Sequence, residues 1–367
     1  MPEDNAAPAS ETRYRVAFSH VSGIGPTRLG TLLESFDSLA AAWAAPERAL
    51  ARVLDPRSLA SLLATRRRLD LDRVLRDLDR QGIAVITPGE PHFPDGLRMI
   101  HGAPYLLYVR GNTDCLHKTA VAVVGTRSAT VYGLRAARRL AGDLAQAGLA
   151  VVSGLAVGID AAAHGAALAV GGTTIAVLGC GLDRCYPLDN RRLRADIERH
   201  GAVVSEFPPG TAPEPGHFPS RNRIVSGMAQ GVLVVEAGDH SGALITARLA
   251  AEQGRDVFAV PSNIDSPVSA GVNRLIAEGA HVVTCSLDVL VGLGLDHLAR
   301  SARQAQLVPE DETEAAVLAA LGAEPRHVDD VSRACGLTAR DVTRTLTVME
   351  VKGMVVHVGH MRWTAAR

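Results

Sequence analysis

Two short stretches of the chain combine glycine, arginine and hydroxyl side chains in a way suited to holding a phosphate. The first is Gly125-Thr126-Arg127-Ser128, which ends the apolar run AVAVV and precedes a helical segment starting near Thr130. A single glycine there allows close backbone approach, the helix start presents partial positive charge, and Arg127 adds a planar fork of donors. The spacing lacks the GxGxxG pattern of a dinucleotide site, so it suits one phosphate, free or within a strand. The competing reading pairs Arg127 with a carboxylate inside the fold. The second stretch is His217-Phe218-Pro219-Ser220-Arg221-Asn222-Arg223. Ser220 reads as an N-cap, which puts Arg221, Asn222 and Arg223 in a first helical turn. Cations at that position oppose the helix dipole unless an anion is bound, or unless an internal acid such as Glu206 or Glu236 neutralises them.

Aromatic residues make up 4% of the chain, yet Tyr132, Tyr186 and Phe218 lie beside these basic segments. Each ring has a core-packing alternative. Phe218, in a proline-bounded loop next to the arginines, is the best placed to stack on a base, a contact that tolerates any sequence. Further turns, Ser153-Gly154 through Asp160, Gly179-Cys180-Gly181 and Asp239-His240-Ser241-Gly242, would add backbone donors along the same edge. Asp160 and His164 are one helical turn apart. Without a third ligand or a nucleophile they read as a buried cap and an intrahelical hydrogen bond rather than a metal or catalytic pair.

The elements that must position these residues follow from the pattern of apolar runs. AVAVVG (120–125), AVVSG (150–154), TIAVLG (174–179), AVVSE (202–206), VLVVEA (232–237) and VFAVP (257–261) alternate with helical stretches. Runs without polar alternation are strands buried on both faces, so the expected fold is a Rossmann-like, doubly wound α/β domain with a mostly parallel sheet. Such sheets bind ligands at the carboxyl ends of their strands. Residues 1–12 are expected to be disordered, and residues 13–82 to form a helical domain. In that domain Gly23-Ile24-Gly25-Pro26 leads into a helix with Leu29, Leu32 and Leu33 on one face, like a helix-hairpin-helix element or a plain αα-hairpin. The α/β domain is expected over 83–296, a linker over 297–311, and a winged helix over 312–367, with Gly336 at the turn before its second helix.

The composition narrows the partners. The net charge is −1, but phosphate binding needs only a local cluster, and Lys118 and Lys352 are the two lysines among 38 basic residues. Arginine suits bidentate phosphate contacts and stacking, although a compositional bias is the favoured account of its excess. No apolar run reaches the ~20 residues of a membrane span, and the N-terminus lacks the apolar segment of a signal peptide. Cys115, Cys180, Cys185, Cys285 and Cys335 form no CxxC pair, which suits a reducing cytoplasm.

With these residues in place, the sequence resembles the DNA-processing protein A family, also called Smf. The resemblance rests on SGLAVGIDAAAHGAAL, TIAVLGCGLD with CYPLDN, VVSEFPPG, FPSRNRIVSG, VVEAGDHSGALITARLA and GRDVFAVP, in that order, with FPDGLRMIHGAPYLLYVRGN upstream. It covers about residues 85–285 strongly and the flanks more loosely. It implies a cytoplasmic homodimer that binds single-stranded DNA without sequence preference during natural transformation, protects it, and helps load the RecA recombinase, without being an enzyme. No cofactor, metal or membrane partner is implied. By matching positions Arg127, Phe218, Arg221, Asn222 and Arg223 take the DNA-contact role. With the neighbouring turns, the expected contact set also includes Gly125, Thr126, Ser128, Ser153, Gly154, Ser220, Ser241 and Gly242. Two departures stand out: every basic residue between Thr119 and Asp296 is arginine, where lysines are common in the family, and the Pro261-Ser262 and Gly271-Val272-Asn273 turns differ from the usual forms. The winged helix carries seven acidic and seven basic residues from Glu312 onward, and this neutrality favours a protein contact or dimer regulation over reading duplex DNA. The alternative is a nucleotide-processing enzyme resembling the cytokinin-activating phosphoribohydrolases, but their loop glutamate has no counterpart at that spacing.

Overall fold

The computed structural model describes residues 6–298, 311–321, 325–352 and 354–365. It divides into two compact units, Met1–Gly294 and Leu295–Arg367. In the first, nine strands form one sheet: β1 (Ala84–Ile86), β2 (Leu107–Gly111), β3 (Ala120–Val124), β4 (Ala150–Ser153), β5 (Thr174–Leu178), β6 (Ala202–Ser205), β7 (Gly231–Val234), β8 (Asp256–Ala259) and β9 (His281–Val282). Their order is β1-β2-β6-β5-β4-β3-β7-β8-β9. The run from β6 to β9 is parallel, whereas β1 and β2 join it antiparallel. All six apolar runs picked out from the sequence are strands of this sheet. β2 was not among them, although every residue from Leu107 to Val109 is buried. Its antiparallel pairing with β6 gives it no βαβ unit, and alternation with helices was the signal that exposed the others.

Strands β3 to β6 are buried throughout, because helices cover both faces of the sheet. One face holds a core of Val124, Val152, Val177, Val204 and Val234 with Leu97, Ile224 and Ala247. The opposite core contains Tyr108, Ala176, Leu178 and Val203, and it takes in Val16, Ala17, Leu71 and Leu78 from the N-terminal helices. The N-terminal helical layer therefore shares a core with the sheet, and the expected boundary at 82/83 is a change of secondary structure and not of packing. Residues 1–5 lie outside the described residues, and the expected disorder over 1–12 is corrected from Ala6 onward, where a helix runs to Ser19. It is held by the burial of Val16, Ala17 and Phe18 and by Arg13 pairing with Asp72 at 2.6 Å.

The glycine hairpin leads into the helix Pro26–Ser35, with Gly25 as N-cap and Pro26 in the first turn. Leu29 and Leu32 are buried as expected, but Leu33 is 37% exposed and lies off the buried face. Gly23 has φ of +88°, and Arg28 Nη1 donates to its carbonyl at 2.6 Å. The second unit has helices Glu312–Ala320, Val328–Cys335 and Ala339–Val351 and a three-stranded sheet of β10 (Arg326–His327), β11 (Val355–His357) and β12 (Arg362–Ala365), ordered β10-β12-β11. It is a winged helix with its own core of Val317, Val331, Val342, Leu346, Met349 and Trp363. Gly336, at φ of +72°, caps the helix before the turn, as the sequence predicts. The expected linker, 297–311, lies for the most part outside the described residues.

Candidate nucleic-acid interface

The chain leaves β3 toward β4 on one side and returns through β7 on the other, so the sheet reverses direction of winding between β3 and β7. Loops on either side of such a point diverge and leave a crevice beyond the strand ends. Here the crevice is a cleft of about 510 Å³, and its walls include Gly125 to Arg127, Gly154, Phe218 to Asn222 except Ser220, and Gly238 to Ala243. The structure thus brings together Gly125, Thr126, Arg127, Gly154, Phe218, Arg221, Asn222, Ser241 and Gly242 of the expected set.

Arg127 is exposed and forms no ion pair or hydrogen bond among the described residues. Its Cζ stands 5.4 Å from the centre of the Phe218 ring. That ring in turn lies 5.4 Å from Tyr186, tilted by 35°, and Tyr186 is 42% exposed. Guanidinium, phenyl and phenol therefore form a short ladder at the cleft. A cation held over a ring face keeps its outer donors free for an acceptor.

The other arginines behave differently. The helix expected to begin after Ser220 begins at His217 with Gly216 as N-cap, and Ser220 sits in its first turns with its hydroxyl donating to the Gly216 carbonyl at 3.2 Å. Ser220 is thus neither a cap nor part of the cleft wall, and Arg221 to Arg223 occupy the second turn. Proline at the third helical position needs no partner for a missing N–H, which allows the earlier start. Arg221 is 5% exposed, and its guanidinium donates to the Val177 carbonyl and, at 2.7 Å, to that of Gly154. Asp160 supplies its countercharge. Burial pushes Arg221 down to about 10, leaving it charged at neutral pH, while burial raises Asp160 against the pull of Arg221 and of the Gly154 and Ala156 amides. A Cβ on Gly154 would overlap the Arg221 guanidinium, so the glycine is there to admit that side chain. Arg221 is a strut between the ends of β4 and β5. Arg223 points elsewhere: it pairs with the half-buried Glu206, the internal acid named as its alternative, whose carboxyl is raised by burial against the pull of Arg223.

Further expectations change. Ser153 is fully buried, with its hydroxyl donating to the Val123 carbonyl at 2.6 Å, so it lies under the cleft and not on it. The helix after the Gly-Thr-Arg turn, Val131–Gln146, already has an acid at its start: buried Glu236 accepts from the Thr130 amide at 2.8 Å and its hydroxyl at 2.7 Å. The glycine at 125 serves close packing against Ile159 and the Glu236 carbonyl. Ser128 is exposed outside the cleft, with its amide on Thr126 Oγ1 at 3.2 Å. Asn222 closes the wall by donating to the Gly242 carbonyl at 3.4 Å, and Ser241 caps the helix Gly242–Glu252. His164 bonds to Thr174 Oγ1 at 2.6 Å across to β5, and not within its helix. Burial holds its imidazole neutral, down to about 3. The role of Glu236 was missed, although one signal was available: an acid interrupts the apolar run that ends β7.

Comparisons with known proteins agree with this architecture. Residues 84–294 match the family described as DNA recombination-mediator protein A, and residues 301–359 match the DprA winged helix domain. The chain is 35% identical to Protein Smf of Synechocystis, covering 96% of this chain and 98% of that one. It is 48% identical to the DNA processing protein DprA of Streptococcus pneumoniae over 54% of this chain and 70% of that protein. The X-ray structure of DNA processing protein A from S. pneumoniae superimposes with a TM-score of 0.68 at 38% identity, over 76% of this chain and 97% of that chain. A structure of DNA processing protein A from Helicobacter pylori, described for its single-stranded DNA binding mode, gives 0.53 at 30%, over 58% and 96%.

Proposed function

Because the chain belongs to the DNA-processing protein A family, we propose that it binds single-stranded DNA at the β3/β7 cleft without sequence preference, as a holder of the strand and not as an enzyme. The observation that carries this is the Arg127–Phe218–Tyr186 ladder. An unpaired guanidinium meets a phosphate, and rings beside it accept any base face. Duplex DNA keeps its bases stacked inside and offers such rings nothing, so the ladder favours a single strand. In the cell the protein would shield incoming DNA in the cytoplasm during transformation and pass it to RecA. For the homodimer, the outer side of the sheet-edge strand β9 offers unpaired backbone, with Val282 exposed on it and Leu287 and Val291 exposed on the helix that follows.

The acids at the cleft support binding over hydrolysis. Asp160 is committed to Arg221 and two amides, Glu236 to Thr130, and Asp239 to Arg274 at 2.7 Å. A general base must reach substrate, and each of these carboxylates is already engaged. The test is fluorescence polarisation of oligothymidylate with Phe218→Ala. Loss of ~1–3 kcal/mol per stacked base is expected, with weaker and unchanged binding to a duplex of equal length. Equal loss on both forms, or none on either, contradicts the reading.

A further inference from the structure

The helices Val131–Gln146 and Ile159–Ala169 lie side by side on one face of the sheet, and the groove between them, about 840 Å³, opens beside the cleft. Arg127 and Ser128 line its near end, so Arg127 belongs to both spaces. Its floor is made of Gly158, Ala161, Ala162, Gly165 and Ala166, and its far wall carries Arg138 and Arg139. Both arginines are exposed and form no ion pair within 4.0 Å among the described residues. Arg135, also exposed and without an ion pair, stands one turn before them on the same helix.

This arrangement is unfavourable without an anion. Arginines at i,i+3 and i,i+4 repel each other on a helix surface. The acid placed to relieve them, Asp143 at i+4 from Arg139, also lines the groove, but it accepts from Ser286 Oγ at 3.3 Å and makes no pair with Arg139. At 1.5 Å per residue, Arg138 and Arg139 lie about 12 Å along the helix from its start, a few nucleotides of a strand beyond Arg127.

Resting on the cleft as the entry point, we infer that the phosphodiester backbone of a single strand leaves the cleft over Arg127 and continues along this groove, with Arg138 and Arg139 on its downstream phosphates. The small floor leaves room for a sugar-phosphate chain and has no ring for a base, so the groove holds backbone and the cleft holds bases. It adds length of strand bound without adding sequence preference.

The test is a polarisation titration of the full chain with oligothymidylates from about 4 to about 16 nucleotides, the range of single-strand site sizes. Wild type is compared with Arg138→Ala/Arg139→Ala, Arg138→Lys/Arg139→Lys and Arg127→Ala, each checked for an unchanged melting temperature. The double alanine variant is expected to match wild type on the shortest strand. On the longest it should weaken at least tenfold, with a salt slope shallower by about 1.4, at ~0.7 per phosphate lost, and the lysine variant should restore most of this. If the double alanine variant binds every length as wild type does while Arg127→Ala weakens all of them, the groove is overturned and the cleft stands. An equal loss on short and long strands also overturns the groove, because it marks general attraction. If Arg127→Ala changes nothing at any length, the cleft itself is wrong, and the groove falls with it.

Discussion

The arginines of the two phosphate-like segments have been given opposite work by burial. Arg127 is exposed over a ring with its donors free, whereas Arg221 is threaded past Gly154 onto two backbone carbonyls with Asp160 as countercharge. Removing Arg221 would leave Asp160 buried and unpaired, a loss of about 3–5 kcal/mol. Urea denaturation of Arg221→Ala is therefore expected to show a midpoint well below that of wild type, while Arg127→Ala keeps the wild-type midpoint. A stable Arg221→Ala that had lost DNA binding would return this residue to the contact role. The two phosphate-like segments were visible in the sequence as local chemistry. What each arginine does was not, because it depends on a carbonyl of β5 and an acid on the helix after β4, both far along the chain. Ser153 and Ser220 were misread for a similar reason: a hydroxyl in a turn looks available until the fold supplies the carbonyl it bonds to, that of Val123 for Ser153 and that of Gly216 for Ser220.

At the scale of elements, strands carried the strongest signal. Continuous apolar runs followed by glycine, serine or proline gave β3 to β8, and with them the sheet edge where the site forms. Helix starts were less legible, since Gly216 and Pro219 together allow a start three residues before Ser220, and Glu236 reaches the start of another helix from the opposite side of the cleft. His164 shows how elements are tied across the sheet, because its ring joins the helix Ile159–Ala169 to β5 through Thr174. Its imidazole is depressed by burial from the ordinary value of 6.5 to about 3, so the unfolded chain takes up a proton that the folded chain refuses. Stability from this group is complete above pH 6.5 and falls by about 1.4 kcal/mol per pH unit on the way down toward 3. Thermal melts between pH 7 and 4 are expected to show this decline, flattened in His164→Gln. An equally steep decline in that variant would assign the acid sensitivity to other groups.

The whole molecule has two units with separate cores, and the proposed contacts to the strand fall in one of them. The ladder and its supports lie within Met1–Gly294, and the winged helix is neutral in charge with its own packed interior. A chain ending at Gly294 is expected to bind oligothymidylate within about twofold of full length, because electrostatic affinity follows the phosphates neutralised and none of those contacts lies beyond it. A larger loss, measured by the same titration, would give the winged helix a direct part in holding the strand. The parallel sheet and the winged helix were legible from periodicity, but the joining of the N-terminal helices to the sheet was not: Val16, Leu71 and Leu78 look like any helix core until Tyr108 and Leu178 are found against them.

In the proposed complex a single free guanidinium at the β3/β7 cleft, that of Arg127, meets a phosphate of the strand. This contact is tested most directly by measuring oligothymidylate affinity against salt concentration for wild type and Arg127→Ala. The expected result is binding weakened roughly tenfold, as for one charge-assisted contact of about 1.5 kcal/mol, with a slope in log affinity against log salt shallower by about 0.7. Coincident lines for the two proteins would contradict it.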